Sequence, residues 1–409
     1  MKILFCHNYY RFQGGEDHSF ESEVAMLRGA GHEVITFTRH NDSVNDGAIG
    51  LLRVSARTLH SRSAKEEMET YIREHRPDVV HCNNLFPQLS TSIYSPARAA
   101  GIPVVQSIRN YRSFCANGFF LRDEKVCTDC LGSRASFHSI RHGCYRGSRA
   151  ASTVVTTMQL WQRSLDRLHP VVTVYVTPTE FSRQLHISGG FDEKRIVVKP
   201  NFIAPDPGHG PGSPDTFLFA GRLSAEKGLK AIIAAWEDLD APLRVFGDGP
   251  MKDEIIAFAE THPAVTYLGH QPLHKIVEEM GAVRAVLMPS VWYETFGRTI
   301  AESFSRGTPV IASRLGAMAE LVQDGINGTL IDPNNPEELS TAVRHLLKLE
   351  DRDYASMRES ARQSFKNHYS IEENYRRLME IYGLAIEWEK ERVQSSNRIV
   401  LPSEAARTP

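Results

Sequence analysis

Four charged side chains in the second half of the sequence have types and spacings suited to binding a diphosphate and hydroxyl groups. Arg222 and Lys227 lie in the segment GRLSAEKG at 221–228. A guanidinium grips phosphate oxygens with its planar fork and an ammonium adds a mobile point charge, so the pair suits a diphosphate leaving group. Glu294 and Glu302 can accept hydrogen bonds from sugar or ribose hydroxyls.

The segment between these two glutamates predicts a helix start that could face an anion. It contains Phe296, Gly297, Arg298 and Thr299. A helix that begins near Gly297 would present free backbone amides to a phosphate, and a glycine there lets a ligand approach the backbone. The simpler alternatives are that the acids complement the helix dipole and that the basic residues are ordinary surface residues.

Short apolar runs divide the chain into two series that would place these residues at the edges of parallel sheets. The first series lies at 2–6, 33–38, 78–81, 103–107 and 172–177, and the second at 216–221, 243–247, 264–269, 284–289 and 309–313. The intervening stretches are long enough for helical crossovers, which favours buried parallel strands covered by helices. Open sheets of this kind bind ligands at the carboxyl ends of their strands.

A Pro/Gly-rich linker at 200–214 separates the two series. We therefore predict an α/β protein with two doubly wound, Rossmann-like domains, at 1–200 and 201–370. With 41% hydrophobic residues, 23% charged residues and a formal charge of −2, neither disorder nor a nucleic-acid-binding surface is expected. No apolar run has the length of a signal peptide or a membrane span, so we expect a cytoplasmic protein.

Four motifs in the second series resemble a known family. GRLSAEKG, FGDGP at 246–250, the Glu294-x7-Glu302 pair and RGTPVIAS at 306–313 together are similar to the retaining GT-B glycosyltransferases of family 4. The resemblance covers nearly the whole chain. It implies two domains facing a deep cleft, and transfer of a sugar from a UDP or GDP sugar to a saccharide or lipid-linked acceptor, in polysaccharide or glycolipid biosynthesis, with no catalytic metal.

The same resemblance implies roles for individual residues. Arg222 and Lys227 would hold the donor diphosphate, Glu294 would contact the transferred sugar, and Glu302 would bind the ribose. The other predicted donor-binding residues are Gly14, Gly15, Gly249, His270, Phe296, Gly297, Arg298 and Thr299. A helix at 371–390 would pack back on the first domain, and 391–409 would form a mobile tail.

The first domain departs from the family pattern after the strand at 103–107. The sequence there reads SIRNYRSFC, so Arg109 stands where the family often has a histidine, and Asn110 follows it. Arginine can only donate, so Arg109 either contacts a phosphate or the acceptor, or catalysis is impaired. His81 and Asn84 are further candidates for the acceptor side, by position alone.

Cys115, Cys127, Cys130 and Cys144 form a C-x11-C-x2-C-x13-C pattern in an insertion at 115–144. Four thiolates can close a tetrahedral structural zinc site, and His138 or His142 lies close enough in sequence to replace one of them. The alternative is that these cysteines are small buried residues.

A basic amphipathic segment lies at 131–170, where Val154, Met158, Trp161, Leu165 and Leu168 follow helical spacing. It would either pack on the domain core or touch an anionic membrane from its cytoplasmic face.

Two other functions fit the architecture. A nucleotide-sugar 2-epimerase would act on the donor alone, and a non-catalytic subunit would bind the donor without turnover.

Overall fold

The computed structural model describes residues 1–10, 14–41, 58, 60–133, 136–168 and 170–399, without the side chains of 165–168 and 396–399. Predictions that fall on Leu165, Leu168 or the tail from 400 to 409 therefore lie outside its described parts.

The first sheet contains six parallel strands. They are β1 (Lys2–Tyr9), β2 (Glu33–His40), β3 (Val79–Cys82), β4 (Val104–Ser107), β7 (Val174–Thr177) and β8 (Ile196–Val198). Their spatial order is β2-β1-β3-β4-β7-β8, and a small separate hairpin joins β5 (Leu121–Arg122) to β6 (Lys125–Val126). β3, β4 and β7 are short and mostly buried, as expected of strands covered on both faces.

Helices cover both faces of this sheet. They are α1 (Gly15–Gly29), α2 (Arg62–His75), α3 (Tyr94–Ala99), α4 (Phe137–His142), α5 (Arg149–Leu168) and α6 (Glu180–Ser188), with 3-10 turns at Thr91–Ile93 and Glu193–Arg195. Neighbouring residues of a strand serve opposite faces. Ile3 and Phe5 belong to the core under α1, whereas Leu4 and Cys6 belong to the core under α2.

The second sheet also has six parallel strands: β9 (Phe217–Ala220), β10 (Leu243–Phe246), β11 (Val265–Gly269), β12 (Ala285–Met288), β13 (Val310–Ser313) and β14 (Gly328–Ile331). Their order is β11-β10-β9-β12-β13-β14, so the chain reverses direction across the sheet between β9 and β12. That is the order of a dinucleotide-binding doubly wound domain, with its ligand crevice at the reversal.

The second domain has seven covering helices in its described residues. They are α7 (Leu229–Trp236), α8 (Lys252–Thr261), α9 (Leu273–Met280), α10 (Arg298–Ser305), α11 (Gly316–Leu321), α12 (Pro336–Lys348) and α13 (Asp351–His368), with a 3-10 turn at Ala225–Lys227 before α7. Two doubly wound α/β domains are thus present, which confirms the predicted fold class.

The last helix, α14, runs from Ile371 to Ile399 and returns to the first domain. Its buried side chains Leu378, Tyr382 and Ala385 join the core that contains Ile3. The helix continues nine residues beyond 390, so residues 391–399 are helical and not part of the mobile tail that the sequence predicts from 391. Among the described helices, none is long and apolar enough to cross a membrane.

Gly228, between the 3-10 turn and α7, yields a stability prediction. Its φ is +78°, and a Cβ there would lie 1.9 Å from the backbone oxygen of Pro289. Gly325 has a φ of +75° with nothing within 4 Å of such a Cβ. Gly325→Ala should therefore cost about 1–2 kcal/mol from backbone strain alone, and Gly228→Ala about 2–5 kcal/mol because overpacking is added.

Urea unfolding followed by tryptophan fluorescence measures both losses in the same domain. Equal losses for the two variants would contradict the close approach of Gly228 to Pro289.

Candidate functional site

The loops after β9 and β12 meet because these two strands are neighbours in the second sheet. Lys227 follows β9 and Glu294 follows β12, and the Lys227 Nζ lies 2.6 Å from the Glu294 Oε1. Arg222, in the turn directly after β9, is exposed. The sequence motifs therefore converge at the carboxyl edge of the sheet, where such domains bind ligands.

Glu294 is held by three donors on a single oxygen. Besides Lys227, the Ser290 hydroxyl and the Trp292 indole N–H each donate to its Oε1 at 3.0 Å. The residue is only 7% exposed, and the Lys227 ammonium lies 5.3 Å from the centre of the Trp292 ring. A carboxylate bound in this way is fixed before any ligand arrives. Ser290 and Trp292 did not emerge from the sequence, because only the fold brings them to Glu294.

The helix α10 begins where the sequence predicts. Gly297 is its N-cap with a φ of +83°, and a Cβ there would press on Ile300 and Met288 at 3.2 and 3.4 Å. Glu302, one turn inside the helix, accepts from Arg298 Nε at 2.7 Å. Burial raises the pKa of Glu302, and Arg298 opposes that rise. Thr299 is half-buried in the first turn of the helix.

The side chain of Phe296, a predicted donor-binding residue, is buried and is not available to a donor. It is 3% exposed and packs in the core of the second domain, with its ring centre 5.6 Å from that of Tyr369. Removal of its apolar surface from water favours this burial, as it does for the neighbouring core residues. The buried ring anchors the loop that carries Glu294.

Two further predicted residues flank the site. Gly249 lies in a turn packed on Leu223, where a Cβ would meet the Leu223 oxygen at 2.4 Å. Leu223 N donates to Asp248 O at 2.9 Å, so the turns after β9 and β10 are tied together. His270 follows the end of β11 and is exposed.

The start of α1 faces this site from the first domain. Gly14 is the N-cap of α1, and a Cβ on Gly14 or Gly15 would meet nothing within 4 Å. Neither glycine is therefore required by local packing. After burial and Arg298, His18 is a further influence on the pKa of Glu302, which it lowers. His18, near the start of α1, therefore lies close enough to Glu302 to interact with its charge.

First-domain residues also touch the loop that carries Glu294. The Tyr111 hydroxyl donates to the Glu294 backbone oxygen at 3.2 Å, and the Thr179 hydroxyl donates to Thr295 O at 3.0 Å. Phe119, in the cysteine-containing insertion, packs edge-on against Trp292 with ring centres 5.1 Å apart. These contacts between domains could not be read from the sequence.

Arg109 is engaged in a buried ion cluster. Its guanidinium donates to Glu23 Oε1 at 2.8 Å and also contacts Asn201, while Lys199 Nζ lies 2.6 Å from the same Glu23 oxygen. Burial would raise the pKa of Glu23, but Lys199 and Arg109 outweigh it and hold that pKa well below its usual range. The guanidinium is 8% exposed, so it serves Glu23 rather than a free phosphate.

His81, predicted by position alone to lie on the acceptor side, is not open to an acceptor in this structure. It is fully buried, and its ring nitrogens bond to the Tyr382 hydroxyl at 2.7 Å and the Ser107 hydroxyl at 2.9 Å. Burial lowers the pKa of His81 to about 3, which keeps the ring neutral. The His81–Tyr382 bond instead ties α14 to the first sheet.

Asn84 and Asn110 lie beside a cavity of the first domain. Asn84 Nδ2 donates to Asn8 O at 2.7 Å, so it braces the ends of β1 and β3. Asn110 donates to Glu16 Oε1 at 2.7 Å and joins this cavity to the start of α1.

The four cysteines of the insertion influence one another. Burial and the neighbouring thiols raise the pKa of Cys130 to about 11. Cys115 Sγ donates to Asn117 Oδ1 at 2.9 Å. Within the described residues, however, no three His, Cys, Asp or Glu side chains are arranged to hold a metal ion. The geometry does not fit a formed zinc site, and zinc stays a prediction.

Comparison with known proteins covers both domains. The model of Glycosyl transferases group 1 matches residues 206–364, and that of the Glycosyl transferase 4-like domain matches residues 14–201. Two uncharacterized glycosyltransferases of Methanocaldococcus jannaschii are similar in sequence. One, MJ1607, is 28% identical over 76% of this chain and 76% of its own length. The other, MJ1178, is 29% identical over 41% of this chain, and the match spans about half, 48%, of that protein.

A solved structure has the same fold. Anabaena Alr3699/HepE, in complex with UDP, superposes with a TM-score of 0.63 over 93% of this chain and 99% of its own, at 18% sequence identity. At that identity the likeness speaks for the fold alone.

The cysteine cluster yields a metal prediction. If zinc draws the four thiols together, protein purified without chelator should carry about one equivalent of zinc, because four thiolates complete a tetrahedral shell. Elemental analysis should show that equivalent lost in a Cys127→Ser/Cys130→Ser variant and retained in Cys82→Ala, whose cysteine lies in the first-domain core. Less than about a tenth of an equivalent in the native protein would end the zinc hypothesis.

Proposed function

Because the chain belongs to the glycosyl transferases group 1 family and has the GT-B fold, we propose that it is a retaining, metal-independent glycosyltransferase. It moves a sugar from a nucleotide diphosphate sugar to a hydroxyl of a saccharide or lipid-linked acceptor. One observation carries this proposal: a cation, a fixed carboxylate and a helix start meet at the strand ends of the second domain, at Lys227, Glu294 and Gly297.

The donor diphosphate lies between Arg222, Lys227 and the first amides of α10. An ammonium has three N–H donors, so Lys227 can keep its bond to Glu294 and still donate to phosphate oxygens. The charge that builds on the diphosphate as the sugar departs is then stabilised by fixed cations and amides, which removes the need for a divalent ion. The Anabaena protein, which shares the fold, is bound to UDP in its solved complex, and this supports a nucleotide-sugar donor while leaving both UDP and GDP open.

The two carboxylates recognise hydroxyl groups on either side of the diphosphate. Glu294, its Oε1 already occupied, turns its remaining acceptor capacity to the transferred sugar. Glu302, braced by Arg298, accepts from the ribose diol. The bond from the anomeric carbon to the diphosphate breaks, the bond to the acceptor oxygen forms on the same face, and the departing phosphate oxygen takes the acceptor proton.

Removing the cations should slow transfer. Arg222→Ala and Lys227→Ala should each cost about 2–4 kcal/mol of transition-state stabilisation, by analogy with losses of single charge donors at other sites. Lys230→Ala is the matched control, because Lys230 lies on α7 nearby but pairs with the exposed Glu124. The measurement is kcat/KM for the donor, which is identified beforehand by a thermal-shift screen of nucleotide sugars.

NMR of the product decides the wider proposal. Product with the donor's anomeric configuration supports retention, and the opposite configuration excludes it. Isomerised donor without acceptor would identify an epimerase, and donor binding without any turnover would identify a non-catalytic subunit. Full activity in the double variant of Arg222 and Lys227 would refute the proposed site.

Donor binding should weaken at acid pH through Glu302. Its pKa is raised above the ordinary 4.5, so the carboxyl starts to protonate at a higher pH than an exposed glutamate and loses acceptor capacity. UDP affinity, measured by calorimetry from pH 8 to pH 5, should fall as pH is lowered. Glu302→Gln should bind roughly tenfold to a hundredfold more weakly at pH 8 and show a flatter profile.

His18→Gln is the control for this profile. Since His18 lowers the pKa of Glu302, its loss should move the decline to higher pH without removing it. An unchanged profile in Glu302→Gln would assign the pH dependence to another group.

A further inference from the structure

A cavity of about 640 Å³ lies in the first domain between α5 and the carboxyl ends of β3 and β4. One wall is formed by the segments after these strands, including Asn83 and Arg112. The opposite wall is formed by α5, through Met158, Gln159 and Trp161. The donor site described above does not use this space.

The inner wall carries a buried cation without a carboxylate partner. Arg112 lies over the Phe86 ring at 4.5 Å and forms no ion pair with any carboxylate among the described residues. Burial lowers the pKa of Arg112, whereas the Tyr10 hydroxyl, which is hydrogen-bonded to it, and Glu16 raise it. Glu16 is itself bound by the Tyr10 hydroxyl at 3.1 Å and by Asn110. A guanidinium in this setting favours an anion.

Buried polar atoms without a partner occur in three residues that line this cavity. Asn83 Nδ2, Gln159 Oε1 and Arg112 Nε are buried and have no hydrogen-bond partner in the described parts of the chain. Asn83 is 1% exposed and Gln159 is fully buried, so water does not readily satisfy them. Buried polar atoms are normally paired, and all three residues line the same cavity. A ligand with anionic oxygens and a hydroxyl would supply the missing partners.

The outer part of the cavity is apolar. Phe86, Met158 and Phe191 line it, and Trp161 lies at the rim with half of its surface exposed. An exposed aromatic residue beside apolar lining suits an aliphatic chain that enters from the protein surface.

We propose that this cavity binds an amphiphilic acceptor, whose phosphate pairs with Arg112 and whose aliphatic chain leaves past Trp161. That the cavity binds an amphiphile does not depend on the proposed transfer reaction; only the identification of this ligand as the acceptor rests on it. Asn110 supports that role, because it lines the cavity and donates to Glu16 in the first turn of α1, the helix whose His18 interacts with Glu302. Charge complementarity selects the phosphate, and the apolar rim selects the chain.

Farnesyl phosphate is the probe, added to the full chain below its micelle concentration and without donor. Its binding should change the fluorescence of Trp161, and Trp161→Phe should remove most of that change while calorimetry still detects binding. Farnesol, which lacks the phosphate, and inorganic phosphate, which lacks the chain, should each bind at least tenfold more weakly. Equal binding of inorganic phosphate would identify a free-phosphate site and overturn the proposal, as would equal binding of farnesol.

Arg112→Gln should weaken farnesyl phosphate binding at least tenfold, and Arg149→Gln, an exposed residue at the start of α5, should not change it. Trp161→Ala gives a second test if Arg112→Gln fails to fold, because a half-exposed side chain can be truncated with little effect on folding. This variant should weaken the binding of farnesyl phosphate and leave the binding of inorganic phosphate unchanged. Unchanged affinity in both folded variants would overturn the proposal.

Failure here and failure of the proposed function can be told apart. If the protein binds UDP but not farnesyl phosphate, the proposed donor site is supported and the amphiphile-binding cavity is refuted. Farnesyl phosphate binding that depends on Arg112, in a protein that transfers no sugar, would support the cavity's ligand and count against the transferase.

Discussion

The ion pair between Lys227 and Glu294 is the contact on which the donor site depends. It joins the loops after two neighbouring strands, and its carboxylate oxygen is also bound by Ser290 and Trp292. A partly buried pair of this kind is costly to desolvate, so its value lies in the geometry that it fixes rather than in net stability. Phe296 in the core below and Tyr111 from the other domain hold the same loop. The carboxylate is thereby placed before a ligand binds.

The buried charged groups of the first domain hold parts of the fold together instead of preparing a binding site. At its centre Glu23 is bound by Arg109 and Lys199, and Lys199 also donates to Asn374 Oδ1 at 3.0 Å. Asn374 Nδ2 in turn donates to Pro200 O at 2.6 Å. The cluster thus fastens α1, the linker between the domains and α14 together. Arginine at 109 fits this task, since it donates to Glu23 and to Asn201 at once, which a histidine could not do from the same place.

The sequence predicted the positions of strands and helices better than it predicted which side chains contact one another. Buried strands such as Val79–Cys82 are short apolar runs, and the Glu294-x7-Glu302 spacing located α10 correctly, because both signals are local. β14, Gly328–Ile331, was missed because its glycine and threonine leave only two apolar residues in the segment. His81 was assigned to the acceptor because it follows a strand, whereas its partner Tyr382 lies 301 residues away. Such long-range partners are set by tertiary packing, which a single sequence does not display.

The contrast between the domains bears on where an acceptor can bind. In the second domain Arg222 is exposed and Lys227 retains spare donors, so a diphosphate can be bound without breaking a buried pair. In the first domain, binding an anion to Arg109 would disrupt its buried ion pair with Glu23, which would leave Lys199 as the only cation on that carboxylate among the described residues. Breaking a buried ion pair is costly. Arg112 carries no such penalty. An acceptor phosphate is therefore expected to lie to one side of the first-domain centre, with its reactive hydroxyl extended past Asn110 towards α1.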